Sequence, residues 1–222
     1  MERYFDQNVE AVIFDFEGTL VDFQWKLSEA VERALERLWQ IGFARSQIRS
    51  SKYSALLTEA ILAAPEIGLT PEYVRGQIGA IYDVYDQDAL TRWGLRPAVK
   101  DFLHALEARG IRIGVVSNVG GEVLAKALSG FGLAGLFETC VSRHDVTHPK
   151  PSPEGIDLAL RRMNVRKDRA VFIGDSLDDV QAARNAQLKV LIITNGENLT
   201  EEILAARPDG LFESYQELLD NP

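Results

Sequence analysis

The chain of 222 residues has one cysteine and three histidines, and that scarcity removes two kinds of chemistry. Cys140 alone cannot form an internal disulfide, and no Cys/His cluster points to a zinc site. On its strand-like segment Cys140 reads as a small apolar filler. Positive charge is also in short supply: 24 Lys and Arg against 33 Asp and Glu leave a net charge of −9. This balance argues against general binding to nucleic acid or an anionic membrane, both of which need clustered cations. It also means that an anionic substrate must be held by a few local cations and a metal. No apolar run is long enough to span a bilayer, and Met1–Gln7 lacks the basic and then apolar pattern of a signal peptide, so a cytoplasmic location is the default expectation. With 46% apolar and 26% charged residues and no repeat or low-complexity tract, the composition is that of a globular protein. The length suits one ordinary domain, or one domain carrying a smaller insertion.

What is present is organised around Ala11-Val12-Ile13-Phe14-Asp15-Phe16-Glu17-Gly18-Thr19-Leu20, an apolar run that ends in two carboxylates, a glycine and a threonine. Such a run suits a central strand of a parallel sheet, where ligands sit beyond the carboxyl ends of the strands. Asp15 is then expected at the mouth of the fold, beside a sharp turn at Gly18. Ala170-Val171-Phe172-Ile173-Gly174-Asp175-Ser176-Leu177-Asp178-Asp179 repeats the design downstream, so two strand ends offer carboxylates to one site. Between them lie Val115-Val116-Ser117-Asn118, a strand ending in a hydroxyl, and Lys150 in His148-Pro149-Lys150-Pro151.

In these four stretches, taken in order, the chain resembles the haloacid dehalogenase superfamily of phosphohydrolases over nearly its whole length. The expectation is an α/β fold: a Rossmann-like parallel sheet with helices on both faces, plus an inserted all-helical cap. The resemblance implies Asp15 as a nucleophile that becomes an aspartyl-phosphate, Lys150 as the cation that neutralises charge there, Ser117 as a phosphoryl hydrogen-bond donor with Asn118 shaping its loop, and Thr19 as the residue that orients the first motif. It implies Mg²⁺, held by Asp15, Asp175, the main-chain carbonyl of Glu17, and Asp179 directly or through water. An all-oxygen set suits that ion. Asp178 and Asp179 have a second reading, as favourable charges at the start of a helix. Glu17 departs from the family's usual Asp general acid and base, although acireductone synthase, of the same superfamily, also carries Asp-x-Glu-Gly-Thr. The function expected is hydrolysis of a small phosphorylated metabolite by a monomer or homodimer. The alternatives are a sugar-phosphate mutase with the same parts, or a phosphate-binding protein that has lost turnover.

The pattern from Asp22 to Trp93 is helical. Phe23, Leu27, Ala30, Val31, Ala34, Leu35, Leu38 and Trp39 repeat at helical spacing. A second helix, carrying Tyr53, Leu56, Leu57, Ala60, Ile61 and Ala64, stops at Pro65, and a third is capped by Thr70 with Pro71 in its first turn. A connection of a few residues would normally suffice between two strands. Residues 22–93 therefore read as a helical cap and residues 1–21 with 94–222 as the catalytic core. From Leu95 strands and helices alternate, which implies a parallel sheet covered by helices, and Ser214 with Glu217 marks a last short helix. Arg45, Arg49 and Lys52 read as a solvated loop or as a contact for an anionic substrate, and His144 and His148 as loop hydrogen-bonders. Trp25, Trp39 and Trp93 are expected to pack within or under the cap.

Overall fold

A computed structural model describes residues 4–220. The chain divides into two compact units: one runs up to Gln24 and resumes at Trp93, and the other is Trp25–Arg92.

In the first unit, β1 (Ala11–Phe14), β2 (Arg112–Val116), β3 (Thr139–Val141), β4 (Ala170–Gly174), β5 (Lys189–Ile193) and β6 (Gly210–Phe212) form one parallel sheet in the order β3-β2-β1-β4-β5-β6. β1 lies at the centre between β2 and β4, and all four of its residues are buried. Its pleat divides them between two layers. Ala11 and Ile13 join the core made with α6 (Glu154–Met163) and α7 (Leu177–Asn185), where Ile156, Leu160 and Val180 are buried. Phe14 turns to the other face, where its ring meets Phe102 of α4 (Val99–Ala108) and Tyr215 of α9 (Tyr215–Asp220). Covered on both faces, β1 had to read as an unbroken apolar run.

The second unit holds α1 (Leu27–Gln40), α2 (Tyr53–Ala63), a 3₁₀ turn over Ala64–Ile67, and α3 (Pro71–Leu90). Its core joins Ala30, Val31, Ala34 and Leu38 to Leu56, Leu57, Ala60, Val74, Ile78 and Tyr82. Thr70 caps α3 by accepting from the Tyr73 N–H at 3.2 Å. The Trp25 ring meets that of Tyr53 at a tilt and that of Tyr82 edge-on, with centroids 5.2 and 5.3 Å away.

Some boundaries differ from expectation for visible reasons. α1 begins at Leu27, not at Phe23, because Asp22 and Gln24 use their hydrogen bonds on Gly94 and Glu17. The helix expected after Leu95, over Pro97 to Arg109, is α4 and begins at Val99 because Ala98 takes a left-handed conformation with φ 61°. α5 (Gly121–Gly130) continues the alternation expected from Leu95, while α8 (Thr200–Ala206) and the three-residue β6 were not expected individually. Before α9, Ser214 accepts from the Glu217 N–H, but the Glu217 carboxylate reaches back to Glu213 N, one residue before its cap. Cys140 is exposed on the edge strand β3, so it fills no core. Trp93 belongs to the first unit, where it packs edge-on against Phe16.

Candidate active site

Asp15, Ser117 and Asp175 directly follow β1, β2 and β4, the three adjacent central strands. Each position is fixed by the sheet. The Asp15 N–H bonds to the Ile173 carbonyl at 2.8 Å, and the Ser117 N–H to that of Val141 at 2.9 Å, extending the ladders by one residue.

The carboxylates of Asp15, Asp175 and Asp179 each bring an oxygen within 4.8 Å of the others. They are 5%, 1% and 0% exposed. Lys150, 5% exposed, places its ammonium between two of them, bonded to Asp15 Oδ1 and to Asp179 Oδ1, the latter at 2.6 Å. Asn118 anchors the lysine: its amide nitrogen donates to the Lys150 carbonyl at 3.1 Å and its oxygen accepts the Lys150 N–H at 3.0 Å. Ser117 Oγ accepts from the Val119 N–H at 3.2 Å, an arrangement that leaves its own O–H to donate.

The Asp175 carboxylate is held by two donors. The Thr19 hydroxyl donates to Oδ1 at 2.8 Å, and the Glu197 N–H to Oδ2 at 2.7 Å. Two glycines allow the packing: Gly18, at φ 83°, would place a Cβ 2.3 Å from Asp175 Oδ2, and Gly196 would place one at 2.0 Å. Asp179 serves both readings of the sequence. Its Oδ2 accepts from the Ser176 N–H and hydroxyl, closing the capping box that starts α7, while Oδ1 faces Lys150. Asp178, one residue earlier, is half-buried.

The electrostatics follow from burying three acids with one cation. Burial pushes Asp15 up to about 6, and Asp179 adds to the rise while Lys150 opposes it. Asp175 is raised well above the carboxylate range by burial, Asp179 and Asp15. Burial works against the Lys150 ammonium, but Asp15 and Asp179 more than offset it, so its affinity for the proton is above the ordinary value. Glu197, absent from the sequence expectations, is pushed up to about 8 by burial and by Asp178, Asp179 and Asp15. Its only sequence signal was a Thr-Asn-Gly turn after β5 at the same sheet end. A divalent cation fits this excess of buried negative oxygen, and Asp15, Asp175 and Asp179 are the donors that would hold it.

Glu17 lies in the turn after β1, where its Oε1 accepts from the Gln24 N–H at 2.8 Å and from the Trp93 indole N–H at 2.9 Å. Arg96 bonds the Gly18 and Thr194 carbonyls, and the Tyr215 hydroxyl bonds that of Thr19 at 3.2 Å, so the site loops are tied to one another and to α9. Arg45, Arg49 and Lys52 lie exposed in the helical unit, where the Glu59 carboxylate accepts the Arg49 N–H at 2.7 Å. His144 and His148 are loop hydrogen-bonders, to the Gly121 N–H and the Glu154 carboxylate. Among the described residues no helix is long and apolar enough to cross a membrane.

Residues 12–193 match the family described as haloacid dehalogenase-like hydrolase. A phosphoglycolate phosphatase of Salmonella typhi is 31% identical over 232 residues, covering 96% of this chain and 92% of that protein. A hydrolase from Pseudomonas syringae shares the fold with a TM-score of 0.68 at 18% identity, over 96% of each chain. A mutant of CbbY from Rhodobacter sphaeroides, solved with xylulose-1,5-bisphosphate, is 25% identical with a TM-score of 0.62, over 95% of this chain and 96% of that one. The chain belongs to the haloacid dehalogenase-like hydrolases, as a phosphoric monoester hydrolase of that type.

Proposed function

We propose that the protein hydrolyses a small phosphorylated metabolite in a magnesium-dependent reaction through an aspartyl-phosphate on Asp15. The observation that carries this reading is the Lys150 ammonium set between Asp15, at the end of β1, and Asp179, in the first turn of α7. A phosphate monoester repels nucleophiles by its own charge, so a fixed carboxylate needs cations beside it. Lys150 supplies one at the attacking oxygen. Ser117 donates its O–H to a phosphoryl oxygen, and Asn118 fixes the main chain of Lys150. Thr19 keeps Asp175 in place.

In the first step an Asp15 oxygen bonds to phosphorus and the ester P–O bond breaks, while the departing oxygen takes a proton from Glu17. In the second, a water molecule gives a proton to Glu17 and attacks the same phosphorus, the bond to Asp15 breaks, and inorganic phosphate is released. Each carboxyl group ends as it began. Asp15, Asp175, the Glu17 carbonyl and Asp179 would hold Mg²⁺, which would supply charge neutralisation on the phosphoryl oxygens. The helical unit Trp25–Arg92 is assigned the role of a cap whose side chains select the substrate, the exposed Arg45, Arg49 and Lys52 included.

Phosphoglycolate heads the candidates because relatives named for it span nearly the whole chain. The test is phosphate release from 2-phosphoglycolate, several sugar phosphates and p-nitrophenyl phosphate, with Mg²⁺ or with EDTA. Release from at least one ester that EDTA abolishes is the expected result. No release from any ester with Mg²⁺ present would refute the reading.

A further inference from the structure

The two donors to Glu17 Oε1 come from either side of the inserted unit. Gln24 is the last residue before that unit and Trp93 the first after it. The two segments are laced together: the Asp22 N–H bonds the Gly94 carbonyl at 3.0 Å, the Gly94 N–H bonds Asp22 Oδ1 at 3.2 Å, and Val21 and Leu95 form an antiparallel bridge. The Trp93 ring has little freedom. It is 6% exposed and stands edge-on to the fully buried Phe16, with centroids 5.1 Å apart and planes at 86°. Its N–H is therefore aimed by packing, and the longer side chain of Glu17 is what meets it.

We infer that Trp93 is the positioning residue for Glu17: its indole N–H, with the Gln24 N–H, fixes Oε1 and with it the orientation of the carboxyl group that passes the proton. This rests on the reading of Glu17 as the proton carrier. Two N–H donors directed at Oε1 restrain its position. They also fix the rotation of the carboxyl group, and a displacement of about 1 Å in a positioned site costs on the order of 100-fold in rate. Trp93 touches no reacting atom in this scheme, so its effect should pass wholly through Glu17.

The test is a double-mutant cycle followed in a single turnover with saturating Mg²⁺. Release of the alcohol is measured for an alkyl ester, 2-phosphoglycolate, and for an aryl ester, p-nitrophenyl phosphate, whose phenolate needs no proton. Trp93→Phe keeps a ring on Phe16 and removes the N–H. It should slow the alkyl ester about 10-fold or more, part of the roughly 10²- to 10⁴-fold that proton donation supplies, with KM nearly unchanged and the aryl ester little affected. In a Glu17→Gln background the same substitution should add nothing. Equal losses for both esters, or additive losses in the double variant, overturn the inference and leave Trp93 a packing residue. If Glu17→Gln is alkyl-selective and Trp93→Phe is not, the inference alone fails. If Glu17→Gln shows no selectivity, the reading of Glu17 as proton carrier fails and the inference falls with it. The benzothienyl analogue of tryptophan incorporated at position 93, with sulfur in place of the N–H, applies the same criteria if Trp93→Phe does not fold.

Discussion

The Lys150 ammonium lies 2.6 Å from Asp179 Oδ1 while the other oxygen of Asp179 accepts the Ser176 hydroxyl at 2.7 Å, so one carboxylate both starts a helix and holds the cation of the site. Lys150→Met removes that cation and leaves Asp15, Asp175 and Asp179 buried together. Breaking a buried pair from one side costs about 3–5 kcal/mol. The expected outcome is a lower Tm, partly restored by Mg²⁺, and at least a 100-fold loss of phosphate release. Retention of more than a tenth of wild-type turnover would remove Lys150 from the chemistry.

The chain signalled this arrangement where the signal was chemical. Apolar strands ending in Asp15, Ser117 and Asp175, and a lysine between prolines, were legible because a strand buried on both faces carries no polar residue until it ends. The division into a helical unit was legible from periodicity and from an interval too long for a loop. Less was visible where geometry is made by long-range packing. The Glu17 to Trp93 bond joins residues 76 apart, and nothing local pairs the two. Strand β6 has three residues and no room to show alternation. Asn118 is expected to shape the Ser117 loop, and the partner its amide bonds at both ends, the Lys150 main chain 32 residues on, carries no local signal.

Gly196 had no role in the sequence reading, yet a Cβ there would lie 2.0 Å from Asp175 Oδ2. Gly196→Ala must push Asp175 or its own loop aside. Weaker Mg²⁺ activation is the expected outcome, with the half-saturating concentration raised by on the order of 10-fold and the fold retained by circular dichroism. An unchanged magnesium titration would mean that the loop yields without moving the carboxylate.

Stability without metal should fall as pH rises. Asp15 is pushed up to about 6 and Glu197 to about 8, above the ordinary carboxylate values near 4, so between about pH 4 and pH 8 the folded chain binds more protons than the unfolded one. The contribution is fully present below that window and lost as pH climbs through it. Mg²⁺ binds the ionised acids, so the rise in Tm that it causes should be larger at about pH 8 than at about pH 5. Thermal melts in EDTA and in Mg²⁺ at both pH values check this. An increment that is equal at both, or larger at the lower pH, would place the metal away from these acids.

The covalent intermediate on Asp15 carries the account. An acyl phosphate is reduced by borohydride at the carbonyl carbon, which converts the aspartate that bore it into homoserine. The measurement is rapid mixing of enzyme, Mg²⁺ and a substrate ester, quenching with borohydride, digestion, and mass analysis of the peptide containing residue 15. The mass change should appear at Asp15 within the first turnover, and Asp15→Asn, a poor nucleophile of nearly the same shape, should show neither the change nor phosphate release. Phosphate released in full with no modified Asp15, or modification at another carboxylate, would contradict the account.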